Sequence, residues 1–131
     1  MARAFEGLTE VVASYVEIQA LLAADKIDGI KAPAAAISKK AASMGEAGVG
    51  IVAGAKAVEG AADLEAARKA FARLSESVIA AAKAQGWQGL GVKLAYCPMV
   101  DASWLQKEQQ IRNPYYGSSM LTCGEFKDPK K

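Results

Sequence analysis

The sequence contains no histidine among its 131 residues. Histidine is the commonest general base near neutral pH and the commonest protein ligand of zinc and copper(II). Its absence therefore removes the most frequent routes to acid–base and zinc chemistry. No paired carboxylates stand in a catalytic frame, and no glycine-rich loop carries the lysine and threonine of a phosphate site. We expect a chain that is not an enzyme.

Long apolar runs and an excess of one charge are also missing. No stretch of 18 apolar residues is present, and no charged segment followed by an apolar one opens the chain, so we expect no membrane insertion and find no signal peptide. Taken alone, this indicates the cytoplasm, although a piece cut from a longer exported protein would look the same. The net charge of +2 is spread over both signs along the chain, which argues against a nucleic-acid partner, because such binding needs a concentrated basic face.

The length fits one domain, 1–131, with a core large enough to fold. Residues 1–86 predict a helical bundle. Apolar residues recur at helical spacing over 4–24, a second helix is predicted from Pro33 to Met44, and a third strong pattern runs from a cap at Asp63 to Gly86. The two clearest stripes are Leu8, Val12, Tyr15, Ile18 and Leu22, and Leu64, Ala67, Phe71, Leu74, Val78 and Ala81.

Five glycines between residues 45 and 60 weaken the helical pattern there. Each costs roughly 1 kcal/mol relative to alanine inside a helix, yet Val49, Val52 and Val58 keep a partial stripe. We interpret this stretch as a short, weak helix that approaches its neighbours closely through its glycines. A flexible loop is the alternative.

The composition changes after Gly86. Residues 87–126 contain both cysteines and most of the aromatic residues, and 127–131 form a short lysine-rich tail. A strand is predicted over Val92 to Tyr96, one or two helical turns over Asp101 to Gln110, and a second extended segment over Ser119 to Phe126. The fold class predicted from the whole pattern is all-α, an up-and-down four-helix bundle with a small irregular or β-hairpin C-terminal appendage.

Both cysteines and two of the four methionines lie in two short segments of this tail. In an extended chain, residues two apart point to the same side, so Cys97 and Met99 are expected to present a thiol and a thioether on one face. Met120 and Cys123 are three apart and share a face only if the chain makes a helical turn. Brought together, the segments give two thiolate and two thioether donors, and such soft ligands select copper(I) or silver(I).

The spacing leaves two other interpretations open. Cys97 and Cys123 form a disulfide that pins the tail, worth roughly 3–4 kcal/mol through the entropy of the unfolded chain, while Met99 and Met120 fill gaps in a core. Alternatively, both cysteines are buried free thiols. A thioredoxin-like redox role is the least favoured, because the spacing is not CxxC and no basic residue or helix N-terminus is visible beside either cysteine.

Four segments of the tail form a recognisable set: Tyr96-Cys97-Pro98-Met99, Trp104-Leu105-Gln106, Ile111-Arg112-Asn113-Pro114-Tyr115-Tyr116-Gly117 and Met120-Leu121-Thr122-Cys123-Gly124-Glu125. With these segments, the tail resembles a small domain of unknown function that occurs at the C-terminus of CusB-like, HlyD-type periplasmic adaptor subunits of heavy-metal RND efflux systems, and also as stand-alone exported proteins. Upstream, Asp63-Leu64-Glu65, Arg68, Phe71 and Leu74-Ser75 are similar to the last bundle helix of that family. The resemblance covers essentially the whole chain.

The resemblance implies a four-helix bundle that handles copper or a related ion. Carried over by position, the ligand candidates are Cys97, Met99, Met120 and Cys123. It also implies a periplasmic location, with the signal peptide or adaptor body outside this sequence, and a metallochaperone-like role that passes copper(I) or silver(I) to an RND efflux adaptor or pump subunit. The competing hypothesis is a disulfide-stapled helical module that docks on an efflux adaptor without metal. The glycine-rich 45–60 stretch and the lack of histidine depart from the family pattern.

Overall fold

The computed structural model describes residues 2–128, which fold into four helices and a three-stranded sheet. Side chains are described from residue 7 onward. The helices are α1 (Ala2–Ala23), α2 (Lys31–Ala41), α3 (Glu46–Glu59) and α4 (Leu64–Gln85). The strands are β1 (Lys93–Cys97), β2 (Ala102–Gln106) and β3 (Glu125–Lys127). The lysine-rich tail was predicted over 127–131. Its first residue, Lys127, is the last residue of β3, and residues 129–131 lie outside the described part of the chain.

The helices predicted from apolar spacing are confirmed. The five stripe residues of α1 are almost completely buried, and those of α4 are buried apart from Leu64. The side chain of Asp63 accepts the N–H of Ala66 at 2.8 Å, which satisfies one of the unpaired donors of the first turn of α4. The second helix ends earlier than predicted, at Ala41, because Ala42–Met44 tighten into a 3₁₀ turn.

The glycine-rich stretch is a helix of 14 residues, α3. A Cβ atom on Gly48 would overlap the carbonyl oxygen of Ala41, and one on Gly54 would lie 2.7 Å from the Cα atom of Leu74 in α4. The predicted close approach through glycines is therefore confirmed at these two positions. Close packing of α3 on α2 and α4 offsets the helix-propensity cost of the glycines.

The all-α prediction is wrong, since the chain has an α+β fold. Residues 87–128 build a three-stranded antiparallel sheet in the order β2–β1–β3, which is more than a small hairpin appendage. β2 packs against both α1 and α4. These two helices contact each other less extensively than α1 contacts α2, α2 contacts α3 or α3 contacts α4. A strand thus covers part of the apolar surface that an all-helical bundle would close by helix–helix packing.

The prediction of helical turns over Asp101 to Gln110 is also wrong, because Ala102–Gln106 is strand β2. Three consecutive residues, Trp104, Leu105 and Gln106, are fully buried. A strand that is buried on both faces shows no alternation of apolar and polar residues, and so its sequence gives no period-two signal. A tight turn at 98–101 joins it to β1.

Two tyrosine hydroxyls satisfy the backbone of β2 along its outer edge. The hydroxyl of Tyr15 in α1 accepts the N–H of Leu105 at 3.1 Å. The hydroxyl of Tyr115 donates to the carbonyl of Ser103 at 2.6 Å. Both hydroxyls also bond to Ser75 of α4. Burial raises the pKa of both tyrosines, so these buried hydroxyls stay protonated and fix the sheet to the helices.

The register of β1 turns Cys97 toward the segment that contains Cys123. Ala95 pairs with Trp104 and Cys97 pairs with Ala102, so these residues share one face of the sheet. Tyr115 packs edge-on against Trp104, with ring centroids 5.8 Å apart. A Cβ atom on Gly124 would lie 2.9 Å from the Trp104 ring. The chain from 107 to 124 therefore covers the face that carries Cys97.

Candidate metal centre

Cys97 is the last residue of β1 and is fully buried. Pro98 has no N–H to extend the ladder, and the chain turns through 98–101, where Asp101 has a left-handed φ of 52°. The backbone N–H groups of Met99 and Val100 are directed at the Cys97 sulfur. A turn that begins with cysteine and proline thus surrounds one thiol with backbone donors.

Cys123 lies in a second turn, between the 3₁₀ turn Gly117–Ser119 and β3. Its N–H donates to the carbonyl of Met120 at 3.1 Å, so Met120 and Cys123 close a single turn. The side-chain amide of Asn113 donates to the Cys123 carbonyl at 2.8 Å and ties this turn to the loop segment that follows β2. Cys123 is half-buried, in contrast to Cys97.

The structure brings the two thiols together. The Cys97 and Cys123 sulfur atoms are 3.6 Å apart, and both cysteines are free. Two thiolates bound at about 2.3 Å to one tetrahedral ion lie roughly 3.8 Å apart. The pair thus already has nearly the separation that one metal ion requires.

The two thiols have unequal acidities. Burial raises the pKa of Cys97, but hydrogen bonds from the Val100 N–H, Asn113 and Cys123 lower it by more. The pKa of Cys97 is therefore below its usual value. The hydrogen bond to Cys97 raises the pKa of Cys123, and burial adds to that. The pair therefore favours a Cys97 thiolate that accepts a hydrogen bond from the Cys123 thiol. A metal ion would displace the proton that remains.

The two methionines lie at the surface rather than in a core. Met99 is 64% exposed and Met120 is 38% exposed. The expectation that Cys97 and Met99 share a strand face does not apply, because β1 ends at Cys97 and Met99 is in the turn. Both thioethers are nevertheless in exposed turns, two residues after Cys97 and three residues before Cys123.

Asn113 has a structural role that the sequence pattern did not predict. Asn113 is fully buried. Its side-chain oxygen accepts the N–H groups of Tyr115 and Tyr116, and its amide nitrogen binds the Cys123 carbonyl. An asparagine before a proline reads as a loop residue, and nothing in the pattern shows that the loop is buried against a sheet.

A polar clamp attaches the same loop to the helices; it consists of Asp25, Arg68 and Ser118. Arg68 of α4 donates to Asp25 at 2.8 Å and to the carbonyls of Leu22 and Pro114, both at 2.8 Å. Ser118 donates to the Asp25 carboxylate through its hydroxyl and its N–H. The hydrogen bond from Ser118, followed by that from Arg68, lowers the pKa of Asp25. The clamp joins α1, α4 and the loop before Cys123.

A site at this position has a restricted donor set. Among the described residues, no three His, Cys, Asp or Glu side chains come close enough to hold a metal ion together. A third ligand of an ion at the sulfur pair is therefore not one of these described side chains. No helix in residues 2–128 is long and apolar enough to cross a bilayer.

A cleft of about 530 Å³ lies elsewhere, between α4 and the turn after β1. Arg68, Lys69, Val100 and Tyr115 are among its lining residues, and neither cysteine is. The sulfur pair is therefore not part of this cleft. No protein-family model, curated protein or solved structure matches the chain.

Proposed function

We propose that this chain is a soft-metal binding domain that takes up copper(I) or silver(I) as cargo at Cys97 and Cys123, with Met99 and Met120 as further donors. The observation that carries the proposal is the 3.6 Å separation of the two free thiols. Soft sulfur donors select monovalent copper and silver over ions that prefer oxygen or imidazole. The role is binding and not catalysis.

The position of the pair suits an ion that must be passed on. Cys97 is buried and held by backbone N–H groups, so it anchors the ion on the protein side. Cys123 is half-buried and the two methionines are exposed, so an incoming ligand can reach the ion from the other side. Transfer by exchange of one sulfur ligand at a time needs this kind of one-sided access.

The resemblance of the tail to the heavy-metal adaptor family supports the same proposal and suggests the recipient. The domain would act in the periplasm and transfer its ion to an RND efflux adaptor or pump subunit, as a metallochaperone does. The second candidate is a disulfide-stapled module that docks on such an adaptor without metal. The short distance between the sulfur atoms favours this candidate as well, so the test must separate the two.

The test is a competition titration with copper(I) in the absence of oxygen and in the presence of a reductant. We expect about one ion per chain for the native protein, and loss of this stoichiometric binding in Cys97→Ser and Cys123→Ser. Replacing Met99 or Met120 by leucine is expected to weaken binding by roughly tenfold, about 1.4 kcal/mol. Affinity should fall as the pH drops, since both thiols must lose their protons.

A matched control is Met44→Leu, because Met44 is buried in the helical bundle. This change removes one thioether from the chain and should leave copper affinity unchanged. Copper binding by the native protein that is no stronger than that of the Cys97→Ser/Cys123→Ser double variant would eliminate the metal hypothesis. A docking module would then be the function that remains.

A further inference from the structure

The two thiols of the sulfur pair differ in access to solvent although they touch each other. Cys97 has no exposed surface, whereas Cys123 is half-buried. We infer that Cys123 is a site of reversible oxidation by small disulfides, and that Cys97 converts the modified Cys123 into an intramolecular disulfide. We also infer that this disulfide and a bound soft-metal ion exclude each other; that second part rests on the function proposed above.

Access decides where the reaction begins. A small disulfide must place one of its sulfur atoms in line with the attacking thiolate. The Cys97 sulfur is covered by the 98–101 turn and by the chain from 107 to 124, which leaves no room for a second molecule. Cys123 lies in an outer turn next to the exposed Met120, so its sulfur is the one that an external disulfide can meet.

The first step is an exchange at Cys123. The Cys123 thiol gives its proton to water, and its sulfur attacks one sulfur of the small disulfide RSSR. A bond forms between the Cys123 sulfur and that sulfur, the S–S bond of RSSR breaks, and RS⁻ leaves and takes up a proton. The product is a mixed disulfide on Cys123 and one small thiol.

The second step is intramolecular. The Cys97 thiolate attacks the Cys123 sulfur, the mixed S–S bond breaks, and a second RS⁻ leaves and takes up a proton. In total, two protein thiols are oxidised to one disulfide while RSSR is reduced to two RSH. The sulfur atoms must approach from 3.6 Å to about 2.05 Å, so each has to move by less than about 1 Å if they share the change.

The surrounding contacts keep the attacking sulfur in place. The N–H groups of Met99 and Val100 point at the Cys97 sulfur. The side-chain amide of Asn113 donates to the backbone carbonyl of Cys123 and so holds the backbone there. Both cysteines are therefore held in contact while the exchange occurs. The second step needs no rearrangement of β1 or of the turn that contains Cys123.

Oxidation removes the donors on which metal binding depends. In the disulfide, neither sulfur carries a negative charge, and the two atoms are too close together to bind one ion between them. In the metal-bound state, both sulfur atoms are occupied and neither can attack RSSR. The reduced, metal-free protein would thus take up either a soft-metal ion or a small disulfide, and whichever reacts first would block the other.

The test uses the full chain, reduced and free of metal, with oxidised glutathione as the probe. Mass spectrometry after alkylation should show a product that carries no alkyl group and is two hydrogens lighter than the reduced protein before alkylation. Treatment with dithiothreitol should convert this product back to the reduced protein. In Cys97→Ser, a stable adduct of one glutathionyl group should accumulate on Cys123. In Cys123→Ser, Cys97 should remain unmodified over the same time.

Three results would overturn the inference on the oxidation site. The first is a native protein that accumulates a lasting glutathionyl adduct. The second is a native protein that stays reduced under conditions that oxidise the free amino acid cysteine. The third is modification of Cys97 in Cys123→Ser with none of Cys123 in Cys97→Ser. Peptide mapping of acid-quenched native protein checks the order of events without any variant. The glutathionyl adduct must appear on Cys123 before the disulfide forms. An early adduct on Cys97 would contradict the inference.

A second arm with silver(I) separates the two proposals. Reduced protein should bind about one silver ion per chain and oxidised protein none, and prior loading with silver should prevent the reaction with oxidised glutathione. If the oxidised form binds silver as tightly as the reduced form, mutual exclusion is wrong. If the reduced form binds no silver yet forms the disulfide, the proposed function fails, and with it mutual exclusion, while the oxidation site stands.

Discussion

At the scale of single residues, Asn113 connects the two halves of the sulfur pair. Its side chain accepts the N–H groups of Tyr115 and Tyr116 and donates to the Cys123 carbonyl, all within a buried site. Replacement by alanine leaves these backbone groups without their partner. Because each buried unsatisfied group costs about 1–3 kcal/mol, the residue contributes to stability as well as to the position of Cys123.

We therefore expect Asn113→Ala to lower the free energy of unfolding by about 3 kcal/mol and to weaken copper(I) binding. Urea denaturation of the reduced, metal-free protein measures the first effect. The control is Ser43→Ala, which removes only an exposed hydroxyl bonded to the Lys40 carbonyl. An Asn113→Ala protein as stable as the Ser43→Ala protein would contradict the role given to Asn113.

At the scale of elements, the Asp25–Arg68–Ser118 clamp makes the attachment of the loop dependent on pH. The pKa of Asp25 is lowered in the folded protein by Ser118 and Arg68. A carboxylate with a depressed folded pKa stabilises the fold above its unfolded pKa of about 3.9. This contribution is lost as the pH falls through the folded pKa.

Asp25→Asn should accordingly be less stable than the native protein near pH 7, and the difference should vanish in acid, below both pKa values. The asparagine keeps the left-handed backbone conformation that Asp25 adopts, with φ of 61°. Urea midpoints of both proteins across this pH range measure the effect. Asp28→Asn, an exposed change in the same loop between α1 and α2, serves as the control. A difference that persists unchanged into acid would refute the clamp.

The elements differ in how far their sequences reveal them. α1 and α4 are predictable because one face of each is buried, so Leu8, Tyr15, Phe71 and Leu74 recur at helical spacing. Strand β2 is not predictable, because Trp104, Leu105 and Gln106 are all buried and show no alternation of apolar and polar residues. Its outer edge is satisfied by the hydroxyls of Tyr15, 90 positions from its partner, and Tyr115, 12 positions from its partner. Partners outside the strand leave no signal in the sequence of the strand itself.

At the scale of the whole molecule, the bundle was predictable and the way in which it closes was not. Helices α1, α2 and α4 follow from local periodicity, and α3 follows from it only in part. The contact of β2 with α1, in contrast, depends on residues about 90 positions apart, such as Tyr15 and Leu105. The candidate site follows the same division. The residue types at 97, 99, 120 and 123 predicted soft-metal chemistry, but only the fold places the two thiols in contact and the thioethers in exposed turns.

X-ray absorption at the copper edge, on reduced protein loaded with one copper(I) per chain, tests most directly whether the pair is a soft-metal site. The Cys97 and Cys123 sulfur atoms are 3.6 Å apart, so both should bind the same ion. We predict a first shell of sulfur atoms alone, which changes when either cysteine is replaced by serine. A first shell of nitrogen or oxygen, or a spectrum that the Cys97→Ser/Cys123→Ser double variant reproduces, would contradict the proposal.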